Sequence, residues 1–327
     1  MTSTGWRVVV REHGGPEVID REEFDLAAPG TGEIRLRITA IGVNYIDTYH
    51  RSGLYPSTLP IGLGVEAAGV VEAIGADVEG WRTGDRVACL VEKPGTYATH
   101  LLVEADRLFA LPDSISDELA AAILMKGLTA WMLIERCAKV QPGQTVLVHS
   151  AAGGVGSLLV PWLKNIDANV IAHAGSFEKA RAAIRRGADH ALFCPFKLLA
   201  EQVHALTDGK GADVVLDGVG AASWSASLAA IARRGMLVSY GNASGPAPAV
   251  TPLELLKAGS IFLTRPTMYH YIDTAESRAE GARRLFELVA AGALKLEAGR
   301  SFPLAEAADA HRALESRRTM GSTILTP

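Results

Sequence analysis

Apolar residues over the first 125 positions fall in short alternating or continuous runs: Trp6–Arg11, Glu33–Ile41, Ala67–Ile74 and Arg86–Leu90. Turn formers separate them at Gly14-Gly15-Pro16, Pro29-Gly30, Thr83-Gly84-Asp85 and Pro94-Gly95. Such runs predict strands, and their spacing predicts a barrel-like β domain. The pattern changes after Pro112. Ser114 to Glu135 reads as a helix with an interruption near Lys126-Gly127. Apolar strand-like runs then alternate with helical stretches. Thr145–His149 leads through a glycine loop into a helix to about Ile166; Asn169–Ala172 precedes a basic helix at Phe177–Arg186. Ala191–Phe193 precedes a helix at Phe196–Thr207, and Asp213–Leu216 one at Ser223–Ala232. Met236–Tyr240 and Ile261–Leu263 read as the last strands of this series. Continuous apolar strands between helices predict a parallel sheet covered on both faces, a doubly wound α/β architecture. Helices at Thr274–Ala291 and Ala305–Glu315 and a strand at Ser322–Leu325 form a tail expected to return to the first domain.

Composition narrows the class. The chain has 327 residues, enough for two domains. At 48% hydrophobic and 21% charged it is not a disordered chain. No apolar run reaches the roughly 18 residues of a membrane-spanning helix. The opening MTSTGWRVVVREHGG lacks a basic region followed by a long apolar core, so no secretory signal is expected and the cytoplasm is. A net charge of −4 without a basic stretch argues against nucleic acid as the main partner. Cys89, Cys137 and Cys194 are far apart, and no HExxH pattern exists; small buried hydrophobes are expected, with no disulfide framework and no metal.

The candidate chemistry starts at the glycine loop. Thr145–His149 runs into Ser150-Ala151-Ala152-Gly153-Gly154-Val155-Gly156 and then a helix. This strand–turn–helix context suits a dinucleotide, because glycines let the pyrophosphate approach the N–H groups of the helix start. Pro161 lies within that helix and predicts a kink or early break. The second strand ends in His173-Ala174-Gly175-Ser176, with Lys179 behind and no carboxylate at its tip. An NAD site needs an acidic residue there, so NADPH is favoured over NADH, with Glu178 as the contrary sign.

Many motifs in order resemble one family. They include His13-Gly14-Gly15-Pro16-Glu17-Val18, Asn44-Tyr45-Ile46-Asp47-Thr48-Tyr49, Arg51-Ser52-Gly53-Leu54-Tyr55-Pro56 and Gly64-Val65-Glu66-Ala67-Ala68-Gly69. Gly84-Asp85-Arg86-Val87, Lys126-Gly127-Leu128-Thr129, the AAGGVG loop, Gly241-Asn242-Ala243-Ser244-Gly245, Thr264-Arg265-Pro266 and Glu315-Ser316-Arg317 continue the series. Over nearly its whole length the chain resembles the quinone oxidoreductase (ζ-crystallin-like) branch of the zinc-free medium-chain dehydrogenase/reductases. The resemblance implies a GroES-like catalytic domain (residues 1–126 and 268–327), a Rossmann NADPH-binding domain (127–267) and a cleft between them. It implies NADPH as hydride donor, a small-molecule quinone as acceptor, no zinc, and a homodimer. Zinc-using relatives carry Gly-His-Glu where this chain has Gly64-Val65-Glu66.

Carried over residue by residue, the resemblance lines the nicotinamide side with Tyr45, Ile46, Asp47, Thr48 and Tyr49, and turns Asn44 and Tyr49 to the substrate. Gly153, Gly154 and Val155 would meet the pyrophosphate. Gly175, Ser176, Lys179 and Arg317 would surround the 2′-phosphate. Val219, Tyr240, Gly241, Asn242 and Ala243 would hold the nicotinamide ribose half, with Phe262, Leu263 and Thr264 near the carboxamide. Met132 is counted with the cofactor-binding positions, though there and at Cys194 the chain departs from close relatives, which have tyrosines; at Pro161 the family has glutamine.

A quinone that accepts hydride becomes anionic at one oxygen, so a hydrogen-bond donor beside that oxygen lowers the barrier. Asn44 and Tyr49 are the candidate catalytic donors. Asp47 is expected to orient a ribose hydroxyl or the loop backbone, and His50 and Arg51 read as solvated loop residues. Reduction of an activated C=C bond uses the same hydride geometry and stays open. So does a non-catalytic, crystallin-like NADPH-binding role.

Overall fold

The computed structural model describes residues 4–294, 299–316 and 318–327. The chain divides into two units: residues 1–125 with 297–327, and residues 126–296.

The first unit is mostly antiparallel sheet. Its strands are β1 (Thr4–Val10), β2 (Ile19–Asp25), β3 (Glu33–Val43), and, after helix α1 (Tyr45–Ser52), β4 (Ile61–Gly62), β5 (Glu66–Ile74), β6 (Arg86–Leu90), β7 (His100–Glu104) and β8 (Leu108–Ala110). Helix α2 (Asp117–Trp131) follows. The second unit alternates strand and helix: β9 (Thr145–His149), α3 (Gly156–Asn165), β10 (Asn169–His173), α4 (Phe177–Arg185), β11 (His190–Leu192), α5 (Phe196–Leu206), β12 (Ala212–Asp217), α6 (Trp224–Ala230), β13 (Ile231–Ser239), α7 (Pro252–Lys257), β14 (Phe262–Thr264) and α8 (Ala275–Ala290). The tail adds β15 (Ser301–Pro303), α9 (Ala307–Glu315) and β16 (Thr323–Thr326). No helix among the described residues is long and apolar enough to cross a membrane.

In the first unit one sheet runs β15-β16-β3-β5-β6-β8, with β7 paired to β3, and a smaller one runs β2-β1-β4. Alternating inward residues close the core: Val10, Ile34, Leu36, Ile41, Val87 and Leu325 are each at most 3% exposed. In the second unit the sheet order is β11-β10-β9-β12-β13-β14, all parallel. This order reverses between β9 and β12, the switch point at which doubly wound sheets bind ligands beyond their strand ends.

Several expectations are corrected. The tail was expected to rejoin the first domain at 268, yet the second unit extends to 296 and includes α8. Glycine explains the packing of α8: a Cβ at Gly281 would sit 2.8 Å from Leu128 and 2.9 Å from Trp131. α2 is not interrupted at Lys126-Gly127 but runs to Trp131 and continues as a π-helical turn, Met132–Cys137. Gly127 serves close approach instead, since a Cβ there would lie 2.5 Å from Leu285. α3 does not break at Pro161 and reaches Asn165. Leu158, Leu159 and Trp162 on this helix are buried, and that packing offsets the bond the proline cannot make. Of the cysteines only Cys89 is fully buried, where burial pushes its thiol up to about 12; Cys137 and Cys194 are half-buried.

Candidate active site

In the first unit the motif Asn44–Tyr49, read from sequence without secondary structure, opens α1. Asn44 is the N-cap in extended geometry, and Asp47 three residues on closes a capping box with it. The Asn44 backbone N–H donates to Asp47 Oδ2 at 2.7 Å. Asp47 therefore holds the loop backbone, and the Thr48 hydroxyl donates to the Tyr45 carbonyl at 2.7 Å. Asn44, Asp47, Thr48 and Tyr49 are buried, and Tyr45 and Ile46 are half-buried. The rings of Tyr45 and Tyr49 lie 6.1 Å apart, those of Tyr49 and Tyr55 5.2 Å, and those of His50 and Tyr55 5.8 Å. Burial lowers the His50 pKa.

Arg51 is not a solvated loop residue. It is 2% exposed and turned inward. Its guanidinium clamps Glu315 on α9 at 2.6 and 3.1 Å, and its Nε donates to the Gly14 carbonyl at 3.1 Å. Arg51 Nη1 also lies 2.9 Å from His311 Nδ1, and His311 Nε2 lies 3.1 Å from the Tyr97 hydroxyl. Tyr97 in turn donates to Asp47 Oδ2 at 3.0 Å. The guanidinium can only donate, so Nδ1 accepts and Nε2 carries the proton. Burial and then the Arg51 charge push the His311 pKa down to about 3. Sequence reading missed Tyr97 and His311, which are distant in sequence and carry no motif of their own, and it quoted Glu66 within Gly64-Val65-Glu66 without giving it a role.

In the second unit the glycine loop leaves β9 through Ser150, whose φ is +51°. A Cβ on Gly156 would overlap the Ser150 carbonyl and the Ala151 backbone, and one on Gly154 would meet Lys126 Cδ and Cε at 3.1 Å. Bare backbone thus forms the start of α3 around Gly153, Gly154 and Val155, with the Lys126 side chain packed against it. Lys126, 5% exposed, was not singled out as a site residue; its signal is a lone lysine in the apolar stretch of α2.

After β10, Gly175 is open, with nothing within 4 Å of a Cβ. Ser176 caps α4 by accepting from Lys179 N at 3.3 Å. Lys179 is half-buried, and desolvation lowers its ammonium pKa. The loops after β12 and β13 are joined: Ser244 N and Oγ both donate to the Val219 carbonyl at 2.8 Å, and Ala243 N donates to Gly218 O at 3.3 Å. The Tyr240 ring covers Gly218, where a Cβ would be 2.8 Å from its Cζ. Val219, Tyr240, Gly241, Asn242 and Ala243 are therefore one surface. The buried Asp217 carboxylate fastens it, accepting from Val219 N, Gly220 N, Ser223 Oγ and Ser227 Oγ. Leu263 and Thr264 are half-buried on edge strand β14, and Phe262 is exposed. Met132 is 1% exposed in the π-helical turn, an interior position. Arg317 lies outside the described residues. Among the described residues no three His, Cys, Asp or Glu side chains gather as a metal site would require.

An antiparallel β unit and a doubly wound parallel unit with a glycine loop define the GroES-like and Rossmann pairing of the medium-chain dehydrogenase/reductases. Residues 30–113 match the alcohol dehydrogenase GroES-like domain, and residues 186–325 the zinc-binding dehydrogenase family. The chain is 45% identical to a quinone oxidoreductase of Pseudomonas aeruginosa, covering 98% of this chain and 99% of that one. It is 40% identical to a 2-haloacrylate reductase of a Burkholderia species, covering 98% of each. The crystal structure of Escherichia coli quinone oxidoreductase complexed with NADPH superposes with a TM-score of 0.95, at 41% identity, covering 98% of this chain and 100% of that one. The chain belongs to the quinone oxidoreductase family.

Proposed function

We propose that this chain is an NADPH-dependent quinone reductase that needs no metal. NADPH, when bound, supplies a hydride; a quinone takes it with one proton from solvent and becomes the hydroquinone. The residues of the second unit fit the cofactor. The loop Gly153–Gly156 offers bare backbone and helix N–H groups to a pyrophosphate, with Lys126 beside it. The desolvated ammonium of Lys179, with Ser176 and open Gly175, suits a 2′-phosphate, and Arg317 joins them in this reading. Val219 and Tyr240–Ala243 take the nicotinamide ribose, and Phe262–Thr264 the carboxamide.

The acceptor is read from α1. Asn44 is the amide donor for the oxygen that gains charge, and Tyr49 the hydroxyl donor. The observation that carries the quinone reading is the ring series Tyr45–Tyr49–Tyr55–His50 beside an inward-turned Arg51. Such a face suits a neutral planar ring. An acrylate carboxylate would find no mobile cation on this helix, since Arg51 is held by Glu315 and burial disfavours the charged form of His50. The second reading, reduction of an activated C=C bond, draws on the 2-haloacrylate reductase relative. A cytoplasmic homodimer completes the proposal: Leu253, Leu256 and Phe262, 56–61% exposed on α7 and β14, border a sheet edge open to a second copy.

Titration with NADPH and NADH by nicotinamide fluorescence, followed by 1,4-benzoquinone or 2-chloroacrylate, tests the reading. Tight NADPH binding with quinone-dependent oxidation supports it. Oxidation by 2-chloroacrylate alone transfers the assignment to C=C reduction, and binding without any turnover leaves a non-catalytic NADPH-binding protein.

A further inference from the structure

Asn44 is pinned by a carboxylate for which the proposed reaction has no direct use. Glu66, first residue of β5, is fully buried. Asn44 Nδ2 donates to its Oε1 at 2.7 Å, and the Met125 backbone N–H donates to its Oε2 at 2.7 Å. The pairing Gly42↔Glu66 between β3 and β5 leaves room for the carboxylate only because residue 42 lacks a Cβ, which would overlap Glu66 Oε1 and the Ala121 carbonyl. The backbone is thus shaped around this group, and its burial is tolerable because both oxygens accept hydrogen bonds, one of them from Asn44.

The task follows from hydrogen-bond chemistry. A side-chain amide has a donor end and an acceptor end of nearly the same shape, and only its partners decide which way it faces. A carboxylate accepting at both oxygens can hold only the nitrogen end of Asn44. The capping box holds the rest of the residue at the start of α1. One N–H of the amide is spent on Glu66, and the second remains to donate.

We infer that Glu66 is a positioning residue that fixes the Asn44 amide in the one orientation in which it meets the acceptor as a hydrogen-bond donor. This rests on the reading of Asn44 as the donor to the reduced carbonyl oxygen. Glu66 touches neither hydride nor acceptor and acts through Asn44. Removing a single donor to a developing oxyanion lowers kcat about 10²–10³-fold; losing only its orientation costs less, about tenfold to a hundredfold.

The test is a double-mutant cycle on the whole protein with NADPH and 1,4-benzoquinone. Glu66→Gln keeps shape but lets residue 66 donate as well as accept, so Asn44 is no longer held one way round. The expected result is a tenfold or greater fall in kcat, an unchanged KM for NADPH, and no further fall when Glu66→Gln is added to Asn44→Ala. Equal losses from Glu66→Gln in both backgrounds, or an unchanged kcat, overturn the inference. An unchanged kcat in Asn44→Ala alone refutes the donor reading itself and takes the inference with it. If Glu66→Gln folds poorly, Glu66→Asp carries the test, since it keeps an acceptor-only carboxylate but draws it back from the Asn44 amide. Restored folding with kcat depressed in the Asn44 background, and no further fall when it is added to Asn44→Ala, supports orientation as the task. A kcat equal to that of the wild type, or equal losses in both backgrounds, shows a structural brace and overturns the inference.

Discussion

Acid should loosen the first unit through one buried imidazole. His311 is fully buried, with its pKa pushed down to about 3 by burial and by Arg51. In the unfolded chain a histidine titrates near 6.5. Between these values the unfolded state binds the proton and the folded state does not. Stability is therefore fully present above about pH 6.5 and is lost as pH falls from 6.5 towards 3. At pH 5 the linkage amounts to about 2 kcal/mol. For a unit of this size that is a fall in Tm of about 4–8 °C. The structure names a substitution that removes the titration and keeps the bonds. Glutamine at 311 offers an oxygen to Arg51 and an N–H to Tyr97, as the neutral imidazole does. Calorimetric melts of the wild type and His311→Gln at pH 8 and pH 5, at constant ionic strength, give the comparison. The variant should lose less Tm than the wild type over this range, by about 4–8 °C. Equal losses would refute the assignment of His311 as a neutral, buried link. His149, pushed to about 4 by burial, has the same sign and acts in the second unit, so its effect appears in both proteins and cancels.

Other outcomes follow from the same geometry. Glu315→Ala leaves the Arg51 guanidinium, 3% exposed, without its carboxylate; because Glu315 is about a third exposed the loss is about 2 kcal/mol, read as a Tm lower by about 4–8 °C, and an unchanged melt refutes it. Lys179→Met should weaken NADPH about tenfold by fluorescence titration and leave NADH unchanged; equal losses for both would remove Lys179 from the phosphate site. Phe262→Asp puts a charge on the exposed face of β14 and should give a monomer by light scattering, whereas an unchanged mass assigns the contact elsewhere.

What was legible in the sequence was local. Thr145–His149, the glycine loop and the strands that follow could be read because a buried parallel strand is a continuous apolar run, and a phosphate turn needs glycine where side chains would intrude. Helix α1 was not legible. Its sequence, YIDTYHRS, is rich in aromatic and β-branched residues with weak helix propensity, and it forms on a capping box and on inward-facing Asp47 and Arg51. The early break expected at Pro161 does not occur, because burial of α3 outweighs one missing bond.

The sequence by itself determined the class of fold, the place of the glycine loop and the family. The tertiary structure decided what each polar residue does. Whether Arg51 is solvated or locked to Glu315, 264 positions away, depends on the packing of α9 and not on the residues beside it. Likewise Glu66, Asn44, Asp47, Tyr97 and His311 become one hydrogen-bonded chain only when β5, α1 and α9 meet. Apolar periodicity is written locally because burial acts on each element's own face. A buried donor needs its acceptor wherever the fold brings one, and that pairing leaves no pattern along the chain.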